Sequence, residues 1–130
     1  VYVAYPKRPI MTIRPLAYDD FALKAGLESL KKAIAEDESP AILLCDCNFS
    51  PASESYDAID ALLADAWKAK GFGLGFTVPI SNNDIPFPVV RSDYIWHSSE
   101  FAAEKIKIST QLGSSDHYPL RAELGWIVSE

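Results

Sequence analysis

At 130 residues, 48% of them hydrophobic, the chain is long enough to bury a sizeable core and makes one domain or part of one. Its formal net charge of −6 argues against a broad basic nucleic-acid surface but does not exclude a metal-dependent phosphate site, because divalent cations are held by carboxylates. No stretch approaches the length of a transmembrane helix, and no signal-peptide pattern opens the sequence. The first residues, Val1-Tyr2-Val3-Ala4, already read as strand, so a fragment boundary is expected there.

In chain order, residues 1–5 form a predicted strand that Pro6 and Pro9 break. Residues 7–16 read as a proline-punctuated loop. Asp19 or Asp20 can cap a helix reaching about Glu36, with Leu23, Leu27, Leu30 and Ile34 as its apolar stripe and Glu28 set to pair with Lys31 or Lys32. Pro40 follows, and then the apolar run 41–44 leads into Asp46, Asn48 and a turn at Ser50-Pro51. This is the signature of a buried strand whose C-terminal end lifts polar side chains from the core. Side chains alternate along a strand, so Asp46 and Asn48 share one face while Cys45 and Cys47 share the other. Asp46 and Asn48 fit a ligand site at a strand end, and equally a capping turn before the next helix. The two cysteines, with alpha carbons about 6.6 Å apart on an extended strand, are expected as buried free thiols.

A second helix is predicted from Ser53 or Ser55, with Tyr56, Ile59 and Leu63 on its buried side and Leu62 widening the stripe. Gly71, Gly73 and Gly75 alternate with Phe72, Leu74 and Phe76, which reads as a bend into a strand over 76–78. No Lys-Ser/Thr ending makes it a phosphate loop. Residues 81–88 form a polar, proline-rich surface loop. Three strands follow, over 92–97, 104–109 and 119–126; in the last, Leu120, Ala122, Leu124 and Trp126 fall on one side. Helices interleave early and strands dominate late, as in helices packed on a mixed sheet.

Between the last two strands sits Gly113-Ser114-Ser115-Asp116-His117-Tyr118-Pro119. Asp116 supplies a hard oxygen ligand, and His117 a group able to donate to a phosphate oxygen or move a proton. Asp93, one strand earlier, can bond the imidazole and fix its tautomer. Alone, Ser115-Asp116-His117 is also an ordinary polar turn.

Taken in order, three motifs resemble the C-terminal half of the endonuclease/exonuclease/phosphatase family, the DNase I-like metal-dependent phosphoesterases. Cys45-Asp46-Cys47-Asn48 stands for Gly-Asp-Phe-Asn, Arg91-Ser92-Asp93-Tyr94-Ile95 for Arg-Ile-Asp-Tyr-Ile, and Ser115-Asp116-His117 matches outright. Asp65-Ala66-Trp67 and Gly75-Phe76-Thr77 are also similar to family residues at those places, and the resemblance spans about residues 1–124. The departures are Cys45, Cys47 and Ser92, and nothing here corresponds to the family's N-terminal half with its Asn and metal-binding Glu.

The resemblance implies an α+β fold, a DNase I-like half-sandwich with a mixed β-sheet and helices packed on one face, residues 1–130 forming a single domain fragment. It implies a Mg2+- or Mn2+-dependent phosphoesterase, catalytically incomplete as this fragment; the alternative is a non-catalytic binding or scaffold domain that keeps the fold. Asp46 would orient the attacking water or protonate the leaving oxygen, and Asn48 would hold that group or a phosphate oxygen. His117 would contact the scissile phosphate with Asp93 as its partner, and Tyr5 would reach a phosphate oxygen. Asp116, with Asp46, would serve the metal. The implied partners are a phosphoester substrate (nucleic acid, lipid or nucleotide-derived) and the missing N-terminal half. A half-sandwich also leaves one apolar sheet face uncovered, so a homodimer through that face is expected.

Overall fold

The elements, in chain order, are β1 (Tyr2–Ala4), β2 (Ile10–Ile13), β3 (Leu16–Asp19), α1 (Phe21–Glu36), β4 (Ile42–Asp46), α2 (Glu54–Asp60) and β5 (Ala64–Asp65). They continue with α3 (Ala66–Lys70), β6 (Val78–Pro79), β7 (Pro88–Val90), β8 (Asp93–His97), β9 (Phe101–Ile108) and β10 (Leu120–Trp126). These come from a computed structural model, which describes residues 1–4, 10–13, 16–19, 21–79 and 88–127. Tyr5, the cap expected at Asp20, and residues 81–87 of the expected surface loop lie outside the described residues.

The main sheet has the order β1-β4-β8-β5, with β1 parallel to β4 and the other two pairings antiparallel, so it is mixed. Period-two alternation sorts its side chains. Leu43 faces Trp96 and Cys45 faces Tyr94 across β4 and β8, and all four are buried. They meet Leu23, Leu27 and Ile34 of α1 and Tyr56 and Ile59 of α2 in one core. The aromatic rings stack in sequence through it: Phe49 and Tyr94 are 5.4 Å apart, Tyr94 and Trp96 5.5 Å, and Tyr56 and Trp96 5.0 Å. Such offset ring pairs add about 0.5–1.5 kcal/mol each beyond their buried area.

The opposite face of the sheet carries Val3, Leu44, Ile95, Asp46 and Asp93, by the same alternation. Ile95 is covered by Ala66 and by Ala103, Leu120, Ala122 and Leu124 of the β9–β10 hairpin. Val3, 81% exposed, and Leu44, 38% exposed, are not. One face therefore belongs to α1 and α2, and the other is covered on one side only.

Several expectations need correction. The loop expected over 7–16 contains β2, paired antiparallel with β3, because Ile10, Thr12 and Ile13 favour strand more than the flanking prolines oppose it. Leu62 is 42% exposed: α2 ends at Asp60, so the helical stripe does not reach it, while Leu63 turns back into the core. The strand expected over 76–78 is β6, which begins two residues later and ends one later, and β9 begins at Phe101, three residues earlier than expected. Trp126 is 60% exposed at the last paired position of β10, edge-on to Phe101. Cys45 and Cys47 are not free thiols but a disulfide. Strand geometry is left after Asp46, and the two alpha carbons stand 5.0 Å apart, within reach of a disulfide.

Candidate active site

Strand pairing builds the site. Asp46 ends β4 and Asp93 begins β8, and the antiparallel register sets them directly opposite each other on the half-covered face. The Cys47 N–H extends the ladder one step by donating to the Ser92 carbonyl at 2.8 Å. Two carboxylates so placed repel each other unless a cationic or donating group stands between them.

His117 supplies that group. Its loop turns at Gly113, where φ is 62°, and is tied at both ends. The His117 N–H donates to Ser115 Oγ at 3.1 Å, the Tyr118 N–H to the Thr77 carbonyl at 2.8 Å, and the Ser109 N–H to the Pro119 carbonyl at 2.8 Å. The ring then lies with Nδ1 at 2.9 and 3.1 Å from the two Asp93 oxygens and 3.9 Å from Asp46. The contact expected between Asp93 and His117 is present. With Nδ1–H given to Asp93, Nε2 is left for a substrate.

Two hydroxyls named within the sequence motifs, but without a role there, complete the arrangement. Thr77, fully buried, donates from Oγ1 to Asp93 Oδ2 at 2.5 Å. Ser92 Oγ lies 3.3 Å from Asp93 Oδ2 and 3.4 Å from Asp46 Oδ1, so its one proton can serve either carboxylate. Thr77 is 16 positions from Asp93, and no periodicity links them. Asn48 occupies the left-handed region, which asparagine tolerates, and its Nδ2 lies 3.4 Å from the Asp46 carbonyl. Asn48, Ser92 and His117 line a cavity of about 360 Å³. On the other side of His117 a groove of about 460 Å³ runs past Asp46 and Asp93 to Val3 and Leu44.

Asp46, Asp93 and His117 offer ligand atoms within 4.8 Å of one another. Asp116 is exposed and stands outside that group of described residues. Tyr5 lies outside the described residues altogether.

A buried network supports the site from the core. Arg91 places Nη2 2.6 Å from both oxygens of Asp65, and each residue is almost fully buried. Asp65 also accepts from the Tyr56 hydroxyl and caps α3 through the Trp67 N–H, both at 2.9 Å. The guanidinium lies 4.7 Å above the Tyr94 ring, whose hydroxyl donates to the Phe49 and Arg91 carbonyls at 2.9 and 3.1 Å. The turn bearing Asn48 and the residues leading into Asp93 are thereby joined. Burial, and for Tyr56 also the bond to Asp65, pushes both phenols above their usual range.

The fold is that of the endonuclease/exonuclease/phosphatase proteins, the DNase I-like half-sandwich: an α+β arrangement with a mixed sheet, α1 and α2 packed on one face and α3 with the β9–β10 hairpin on the other. No family model matches the sequence, and no curated protein matches it either. Among solved structures, an endonuclease/exonuclease/phosphatase family protein from Bacteroides thetaiotaomicron is 23% identical with a TM-score of 0.69; the match covers 82% of this chain and 45% of that one. A second, from Bacteroides vulgatus, is 22% identical with a TM-score of 0.67, covering 86% of this chain and 47% of that one. A third, the mannosyl-6-phosphatase of Bacteroides thetaiotaomicron, is 24% identical with a TM-score of 0.56, covering 81% of this chain and 45% of that one. The chain thus spans a little under half the length of the proteins it is similar to, the extent of one half of the sandwich.

Proposed function

We propose that the chain is the C-terminal half of a divalent-metal-dependent phosphoesterase and is catalytically incomplete by itself. The observation that carries this reading is the His117–Asp93 pair, at 2.9 Å, facing Asp46 across the end of the sheet. A likeness in fold to proteins that include a phosphatase supports it.

His117, held by Asp93 through Nδ1, donates from Nε2 to a phosphoryl oxygen and stabilises the charge that builds there. Thr77 and Ser92 hold the Asp93 carboxylate in place, so the imidazole does not have to find its orientation during turnover. Asp46 orients the attacking water or gives the leaving oxygen its proton, and Asn48 donates to a second oxygen. Tyr5, next after Ala4 in the sequence, serves a further one.

The ligand spacing at Asp46, Asp93 and His117 fits one cation. Asp93 is already engaged by Thr77 and His117, so Asp46, with the exposed Asp116, is what this half has to give. Mg2+ or Mn2+, when bound, neutralises charge on the phosphoryl oxygens. A hard cation takes about six oxygen ligands, so most come from the other half of the domain, seated over Val3 and Leu44.

The test assays the intact protein and its His117→Ala variant over nucleic-acid, lipid and nucleotide phosphoesters, with and without chelator. Loss of His117 should lower turnover roughly 10²–10³-fold or more, and chelator should abolish it. Activity that survives both removes the mechanism. No activity on any substrate favours the scaffold reading.

A further inference from the structure

The segment leaving α3, Gly71-Phe72-Gly73-Leu74-Gly75, holds two large apolar side chains in solvent: Phe72 is 96% exposed and Leu74 72%. The loop is built to do so. Gly71 and Gly75 lie flat on the Trp67 indole, where an added Cβ would come within 2.3 and 2.7 Å of ring atoms. Gly73 and Gly75 take φ of 78° and 71°, conformations that favour glycine, and Trp67 Nε1–H donates to the Gly73 carbonyl at 3.1 Å. With the flanking glycines pressed against the tryptophan, the residues between them point away from the protein.

A basic groove adjoins this loop. Lys70, the last residue of α3, lines a groove of about 330 Å³ with Lys105, Lys107 and Arg121 of the β9–β10 hairpin. Glu104 and Glu123 share it, so four cations meet two carboxylates. Glu123 is matched by Lys105 at 2.9 Å and Arg121 at 3.7 Å, which leaves a local positive excess on a chain whose net charge is −6.

We propose that this corner docks on an anionic lipid surface, with Phe72 and Leu74 entering the boundary between headgroups and acyl chains and Lys70, Lys107 and Arg121 facing lipid phosphates. Apolar side chains beside a basic cluster are what such a surface recognises: the first gain by leaving water, the second by meeting negative charge. A protein partner fits less well. It needs a continuous apolar patch of several hundred Å², whereas here two side chains project from a narrow turn. The surface makes no use of Asp46 or His117 and stands apart from the phosphoesterase reading.

The experiment is co-sedimentation of the chain with vesicles of phosphatidylcholine alone and of phosphatidylcholine with about one-third phosphatidylserine. Binding is expected to the anionic vesicles and to fall with salt. Phe72→Ser with Leu74→Ser should weaken it about tenfold or more, and Lys70→Gln and Lys107→Gln about fivefold each on anionic vesicles alone. All four side chains are exposed, so circular dichroism should be unchanged. Val3→Ser with Leu44→Ser, on the uncovered sheet face, should leave binding as it is. The proposal is overturned by failure to sediment with anionic vesicles, by equal binding to both compositions, or by binding that depends on Val3 and Leu44 instead. It is also overturned if an oligonucleotide binds in a Phe72-dependent way while vesicles are ignored.

Discussion

Replacing Arg91 with Met keeps the length of the side chain and removes its charge. Asp65 is then left 2% exposed with two donors, the Tyr56 hydroxyl and the Trp67 N–H, in place of the guanidinium. Breaking a buried ion pair from one side costs about 3–5 kcal/mol, and the two surviving hydrogen bonds put this case near the lower end. About 3 kcal/mol is a large fraction of the roughly 5–15 kcal/mol that holds a domain together. With a urea slope near ~2 kcal/mol per molar for a chain of this size, the midpoint should fall by about 1.5 M. Arg91 Nε is buried without a hydrogen-bond partner, so the bridge is not fully satisfied even when intact. Adding Asp65→Asn, whose carbonyl oxygen can still accept from the Trp67 N–H while its amide N–H donates to the Tyr56 hydroxyl oxygen, should therefore recover most of the loss. The assay is equilibrium urea unfolding of the single and double variants. A single variant less than about 1 kcal/mol below the parent, and a double variant no better than the single, would falsify the claim that Asp65 becomes an uncompensated buried charge.

Tyr56 and Tyr94 favour their neutral forms in the folded chain, so the stability they contribute is complete below the ordinary phenol pKa of about 10 and is lost as pH rises beyond it. Their phenolate absorbance should appear only as the chain unfolds; ionisation with an unchanged circular dichroism spectrum refutes this. Because Cys45 and Cys47 are disulfide-bonded, the denatured, unreduced chain should show no free thiol, and reductant should release two; two thiols without reductant would contradict the bridge. Val3 and Leu44 lie uncovered on the sheet face, so the isolated chain should self-associate, and Leu44→Ser should lessen it. Light scattering showing a monodisperse monomer at high concentration counts against that expectation.

Where strand parity and helix periodicity act, sequence and structure agree. The apolar run 41–44 does end in Asp46, and Leu23, Leu27 and Ile34 do face the core. The pairing of Glu28 with Lys31, at 2.9 Å, follows from helix spacing alone, and Ser53 caps α2 as its position suggests. The meeting of Asp93 with His117 is legible because each stands in a motif whose order constrains the fold. Contacts that depend on which strands pair are not legible. Thr77 reaches Asp93 because its N–H joins the Val90 carbonyl at the end of β7, just ahead of β8, and α3 depends on Asp65 as its cap and on Arg91 from a distant segment. The disulfide is hidden because an extended strand sets alternate alpha carbons about 6.6 Å apart, near the upper limit for a bridge, whereas here they stand 5.0 Å apart.

The register between β4 and β8 has a further consequence. Asp46 faces Asp93 in the same ladder in which Leu43 faces Trp96 and Cys45 faces Tyr94. A slip of one residue would turn β8 over, sending Asp93 toward the helices and Trp96 into water. The aromatic core thus acts as a ruler for the carboxylates: it measures their separation as a by-product of its own packing. An insertion or deletion within either strand would therefore damage fold and chemistry together.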